Sequence, residues 1–131
     1  IEYQISLYRP FELSAPDSWV DMPAPFTPVA PQGVVSYATD ALVVEWDNRT
    51  SDNMSVHIQG PCIFDYDAPI LDRGGFELEL RNLEPIPSWR GERCTLDIEV
   101  SRSNLNSVDP AFHSGTISAH QVRHTLVDLM R

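Results

Sequence analysis

Three aspartates, Asp65, Asp67 and Asp72, stand in the run Phe64-Asp65-Tyr66-Asp67-Ala68-Pro69-Ile70-Leu71-Asp72. Carboxylate oxygens gathered in one loop are what calcium takes as ligands, so calcium is the candidate cofactor. The run lacks the ligand spacing and the glycine of an EF-hand loop, and a solvated acidic loop is the competing reading. His120 and His124 are four apart. On a helix they would lie ~6 Å from each other on one face and could share a metal ion, with His113 as a third nitrogen. On a strand the same spacing is ~13 Å and no single ion could be shared. Ser114-Gly115 forms no nucleophile elbow, and neither a P-loop nor a dinucleotide fingerprint occurs, so no catalytic residues are assigned and an enzyme is not expected.

Cys62 and Cys94 are the two cysteines, and neither sits in a CxxC or Cys/His spacing that would serve zinc or redox chemistry. They are read either as a disulfide or as two buried thiols. A bridge would close a loop of roughly 33 residues and contribute about 3–4 kcal/mol on chain-entropy reasoning, and it would favour an oxidising compartment. Trp19 and Trp89 fall in segments that read as arm and loop. Exposed tryptophans stack on sugars or anchor protein contacts, and buried ones close the ends of small cores. Leu105 and Phe112, with Val108, offer similar contact points or packing anchors in the stretch Ser103 to Gly115.

The 131 residues hold nineteen acidic and nine basic side chains, a net charge of −10, and every basic one is arginine. One domain is the default for this length. An acidic chain without clustered cations is a poor fit to nucleic acid. No apolar run approaches the ~20 residues of a membrane span. The start at Ile1 reads as a processed or excised piece, with any signal peptide lying outside it. Arginine in place of every lysine fits a GC-rich coding bias and a bacterial source. Asn48-Arg49-Thr50 and Asn53-Met54-Ser55 match the N-glycosylation pattern, which under a bacterial source carries no glycan.

The elements that must hold these residues are short strands. Glu2 to Leu7 alternates polar and apolar, and six of the eleven prolines (Pro10, Pro16, Pro23, Pro25, Pro28 and Pro31) follow or interrupt it up to residue 31. Residues 1–33 therefore read as a strand and an extended proline-rich arm. From residue 34 to 131 the chain reads as a β-sandwich. Its strands are Val34–Tyr37, Leu42–Trp46, Met54–Gln59, Phe76–Arg81 and Cys94–Val100, the last three with period-two alternation, and turn residues lie between them. The last segment is open to two readings. Ser118 with Gln121 fits a capping box and Ile117 with Val122 a hydrophobic staple, which predicts a short helix from Ala119. A strand around Val122 to Leu129 would instead pair with the strand carrying Cys94 and cover its edge, and this reading is preferred.

Leu42-Val43-Val44-Glu45-Trp46, Val56-His57-Ile58, Leu80-Arg81-Asn82-Leu83-Glu84-Pro85 and Leu96-Asp97-Ile98-Glu99-Val100 resemble strands B, C, E with its corner, and F of the immunoglobulin-like superfamily. The pattern is nearest to fibronectin type III-like modules, over residues 31–130. The resemblance implies an all-β, Ig-like sandwich. It departs in lacking the tyrosine usual near the start of strand F, and in cysteines that do not fit the inter-sheet B–F pair. Because strands C and F are neighbours in such folds, the resemblance brings Cys62 beside Cys94 and implies a disulfide within one sheet. It also implies a secreted or cell-surface, extracellular or periplasmic module, non-catalytic, that mediates protein–protein contacts in adhesion or assembly. The arm could donate its strand to a neighbouring copy, or serve simply as the first strand of its own domain. A carbohydrate- or calcium-binding accessory module is the alternative.

Overall fold

The computed structural model describes residues 2–7, 15–50, 53–112 and 114–131, and among them ten strands carry the fold. In chain order they are β1 (Glu2–Leu7), β2 (Ala15–Asp21), β3 (Pro28–Val29), β4 (Val34–Ser36), β5 (Ala41–Trp46), β6 (Asn53–Gly60), β7 (Ile63–Ile70), β8 (Gly75–Glu79), β9 (Cys94–Ser107) and β10 (Thr116–Met130). Two 3₁₀ turns, Leu80–Asn82 and Pro110–Phe112, are the helical pieces among the described residues. The chain is all-β.

A larger sheet runs β4-β10-β9-β6-β7 and a smaller one β3-β5-β8. Neighbours are antiparallel except for β4, which runs parallel to the end of β10. Alternation decides which face each residue takes. Leu42, Val44 and Trp46 of β5 turn inward, as do Met54, Val56 and Ile58 of β6, Leu96, Ile98 and Val100 of β9, and Val127 and Leu129 of β10. These side chains form one core shared by the two sheets. β1 and β2 make a separate hairpin. Val20 of β2 packs on Ile117 and Ala119, which seats that hairpin on the far end of β10.

The first strand therefore pairs within its own chain. From the stretch read as an arm, β3 joins the smaller sheet and Phe26 enters the core. The C-terminal segment is a strand, so the helix from Ala119 does not form. Val127 lies opposite Leu96 and Leu129 opposite Cys94, and this pairing buries an apolar face that overrides the capping pattern. Two segments read as loops are also strands. Residues 63–70 pair with β6 because Tyr66, Ala68 and Ile70 alternate inward against the core, while Asp65, Asp67 and Pro69 face water. Aspartate and proline are depleted in strands and hid this alternation, but β7 is an edge strand, where proline is tolerated. Residues 103–107 extend β9, and their pairing with the start of β10 supplies the order that their polar composition did not advertise.

Cys62, in the turn after β6, and Cys94, opening β9, form a disulfide with Cα atoms 6.2 Å apart. β6 and β9 are hydrogen-bonded neighbours, Gln59 lying opposite Asp97, so the bridge staples one end of the larger sheet.

At the other end a guanidinium is fully enclosed. Arg102 of β9 points inward with 0% exposure. Its Nη1 donates to the Ala24 carbonyl at 2.8 Å and its Nη2 to the Asn48 carbonyl at 2.9 Å, while Nη2 pairs with Asp72 Oδ2 at 3.0 Å. The guanidinium carbon sits 4.7 Å from the Phe26 ring centre. Asp72 also accepts from Trp46 Nε1 at 2.8 Å and from the Thr50 amide and hydroxyl at 2.8 and 2.9 Å. Burial works to raise its carboxyl, but the bonds from Trp46 and Thr50 and the charge of Arg102 together hold it below its ordinary value.

Removing either partner strands a buried charge, so Arg102→Met and Asp72→Asn are each expected to cost about 3–5 kcal/mol in urea unfolding. The double variant should lose less than the sum, because the second change removes the charge left by the first. A carboxyl lowered in the folded state stabilises the fold above its unfolded value, and that stabilisation disappears as pH falls through the folded one. Asp72→Asn should therefore flatten the loss of stability below pH ~4, measured as unfolding midpoint against pH. Replacing Cys62 and Cys94 together by alanine is expected to lower unfolding stability by about 3 kcal/mol, and an unchanged midpoint would contradict the staple.

Candidate protein-contact surface

The outer face of the larger sheet is built by the residues that alternate with the core. His57 of β6 lies opposite Asp67 of β7 on one side and Glu99 of β9 on the other, and Glu99 lies opposite His124 of β10. One transverse row thus reads acid, histidine, acid, histidine across four strands. Its bonds cross the sheet. His57 Nδ1 meets Asp67 Oδ1 at 2.6 Å, and its Nε2 is 3.7 Å from Asp65. His124 Nδ1 meets Asp97 Oδ1 at 3.0 Å, with Nε2 3.7 Å from Glu99. Gln59 Nε2 donates to Asp97 at 3.3 Å.

The bond to Asp67 is the main cause that raises the His57 imidazole above its ordinary value; partial burial opposes it, and the charges of Asp67 and Asp65 and the Gln59 bond add to it. Asp97 is lowered, first by its bond to His124, against some desolvation, and then by Gln59 and the two histidine charges.

The row ends at two strand edges. β4 pairs with β10 only at residues 128–130, so among the described residues no strand pairs with 116–127 on that side. Val122, Leu126 and Met130 project from the outer face of β10, with Leu126 64% exposed, and Val34 lies beside them. Residues 110–127 contain no Asp or Glu, although the chain carries nineteen. An open cleft of about 580 Å³ lies between residues 28–33 and Thr125, Leu126 and Asp128. At the opposite edge, β7 is covered by a bridge between Ile63 and Pro85 and by the bond from the Phe64 amide to Glu84. Beyond these, no strand among the described residues pairs with its outer side at 65–70.

The three aspartates read as a calcium loop are separated. Asp65 and Asp67 are exposed on β7, whereas the Asp72 side chain is 1% exposed and bound to Arg102. Its charge is already met from within, so it offers no ligand to an outside ion. His120 and His124 both lie on the outer face of β10, where strand spacing holds them apart and His120 bonds Ser118. His113 lies outside the described residues. Among the described residues no group of three or more His, Cys, Asp or Glu is arranged to hold a metal ion.

Trp89 is buried: it donates to the Glu92 carbonyl at 2.8 Å and meets the Tyr37 ring edge-to-face, so it closes the core rather than offering a contact. Trp19, Leu105 and Phe112 are exposed, on β2, β9 and the second 3₁₀ turn, at the end where β2 packs on the β9–β10 hairpin. The row itself was not apparent from the sequence. Alternation places His57, Asp97 and Glu99 outward, but only strand register lines them up. Comparison of the chain with protein-family models, curated proteins and solved structures found no match.

A histidine raised in the folded state contributes stability that is present below its unfolded value and is lost as pH rises through the folded one. Asp67→Asn is therefore expected to lower the unfolding midpoint more at pH ~5.5 than at pH ~8, by no more than ~0.5 kcal/mol at so exposed a pair. The His57 imidazole titration followed by NMR should move downward in the same variant.

Proposed function

We propose that this chain is a non-catalytic, Ig-like module that works outside the cytoplasm, at a cell surface, in a periplasm or in secreted form, by making protein–protein contacts in adhesion or assembly. The observation that carries the reading is the edge of β10, where no strand among the described residues pairs with the outer side of 116–127, beside exposed Val122 and Leu126. Such an edge accepts a strand from a partner, whose main-chain bonds supply affinity while alternate side chains supply selectivity.

The order of the sheets supports the Ig-like part, since β3-β5-β8 facing β10-β9-β6-β7 has the arrangement of an A-B-E sheet facing G-F-C-C′. The disulfide supports an oxidising compartment, and no helix of the described residues is long and apolar enough to cross a membrane. A net charge of −10 speaks against nucleic acid as the partner. The first strand pairs with β2, which favours the edge of β10 over a donated arm as the contact. The calcium or carbohydrate alternative loses Asp72 and Trp89, both of which serve the interior.

A photo-crosslinking residue placed at Leu126, in the protein produced in its native host, is expected to give adducts with protein. The same residue at Glu77, exposed on the smaller sheet, should give none. Equal labelling from both positions, or none from Leu126, would sink the reading.

A further inference from the structure

Granted that β10 is a contact edge, its partner is still to be named, and the other edge of the same sheet has matching chemistry. We infer that a second copy of this chain adds its β7 to the open edge of β10, head to tail, so that the larger sheet continues from copy to copy.

Strand direction permits this. Successive antiparallel pairs from β10 through β9 and β6 leave β7 running opposite to β10, so a copy shifted sideways along the sheet brings β7 antiparallel to β10. Length permits it as well. With Asp67 of the neighbouring copy opposite His124, the segment 65–70 covers residues 121–126 and stops short of residue 128, where β4 begins its pairing. In that register the faces also agree. Asp65 meets Leu126, Asp67 meets His124 and Pro69 meets Val122 on the outside. On the inside, half-buried Tyr66, Ala68 and Ile70 meet half-buried Thr125, Arg123 and Gln121.

Charge favours this occupant over an arbitrary strand. The row that reads Asp67, His57, Glu99, His124 within one copy begins with an acid and ends with a histidine, so the next copy's Asp67 continues the alternation without a break. The two aspartates on β7 repel the acidic strands that dominate this chain and fit the acid-free edge of β10. Twofold pairing of β10 with itself, centred on Val122, would instead set His120 against His124. A heterologous contact of the head-to-tail kind leaves one free edge of each sort, so assembly is open-ended.

Sedimentation velocity of the intact chain, at low ionic strength and pH ~6 where imidazoles carry more charge, tests the idea. His124 there faces Asp97 and Glu99 of its own copy and Asp65 and Asp67 of the next, while His57 faces Asp65, Asp67 and Glu99. The mass is expected to rise above 14.8 kDa with concentration. The rise should be weaker at pH ~8 and in high salt. The variants Asp65→Lys/Asp67→Lys and His124→Asp/Leu126→Asp, each checked for an unchanged melting profile, should associate about tenfold more weakly or not at all. Mixed in equal amounts they should associate again, since each retains one native edge for the other.

A wild-type chain that stays monomeric at every concentration overturns self-pairing. So does association that either variant leaves intact, or a mixture that stays monomeric. Leu126→Cys alone yielding a covalent dimer, with no longer ladder from Leu126→Cys/Asp65→Cys, would show twofold pairing and overturn the head-to-tail register. Any of these results accompanied by Leu126 crosslinks to a different protein leaves the contact edge in place and removes only the second copy as its partner.

Discussion

A guanidinium with no access to water must find its compensation within the protein, and both Nη atoms of Arg102 find it from three separate stretches of chain, while its buried Nε has no hydrogen-bond partner. Ala24 belongs to the approach to β3, Asn48 to the turn between β5 and β6, and Asp72 to the connection between β7 and β8. Trp46 and Thr50 complete the shell around the aspartate, and Phe26 covers the face of the guanidinium. The cost of burying both charges is large, and a well-packed apolar pair could match the net stability. What such a pair could not do is fix direction. Five hydrogen-bonded groups around one carboxylate–guanidinium pair admit a single arrangement of the strands at this end of the sandwich.

That constraint reaches the proposed contact surface through β9. Arg102 faces the interior from the same strand that presents Asp97 and Glu99 outward, so locking the arginine also locks the register of the strand on which the acid–histidine row depends. The disulfide at Cys94 fixes the opposite end of β9. Between these two anchors the strand cannot slip by one residue without turning its apolar side chains to water. An exposed row of weak surface pairs, none worth much alone, is thereby held in one geometry by interactions beneath it. The two edges differ for a related reason: β7, with two aspartates and a proline, is guarded against indiscriminate pairing, whereas no strand among the described residues pairs with the outer side of β10 over its first twelve positions.

Much of the all-β architecture is legible along the chain. Phe76 to Arg81 and Cys94 to Val100 alternate so regularly that their inward faces follow directly, and both face the core as the alternation requires. The site is less legible. Asp65 and Asp67 were grouped with Asp72 by nearness in sequence, yet the end of β7 turns Asp72 under the sheet and leaves the other two on top of it. Nothing local marks Arg102 as buried, because its neighbours Ser101 and Ser103 are polar and an arginine is ordinarily exposed. His57 has the same obscurity: its partners lie 10 and 42 positions away, on β7 and β9.

The amino-acid sequence by itself determined the strand character of most segments, the division of each strand into an apolar and a polar face, and the even pair of cysteines free to bond. These follow from a period of two and from local side-chain chemistry, which need no knowledge of neighbours. Tertiary structure alone decided that residues 63–70 are a strand, that Asp72 serves the interior, that acid and histidine alternate across four strands, and that residues 116–127 of β10 have no outer strand partner among the described residues. Each of those depends on which strands lie side by side and in what register, and that is a property of pairings between residues far apart in the chain.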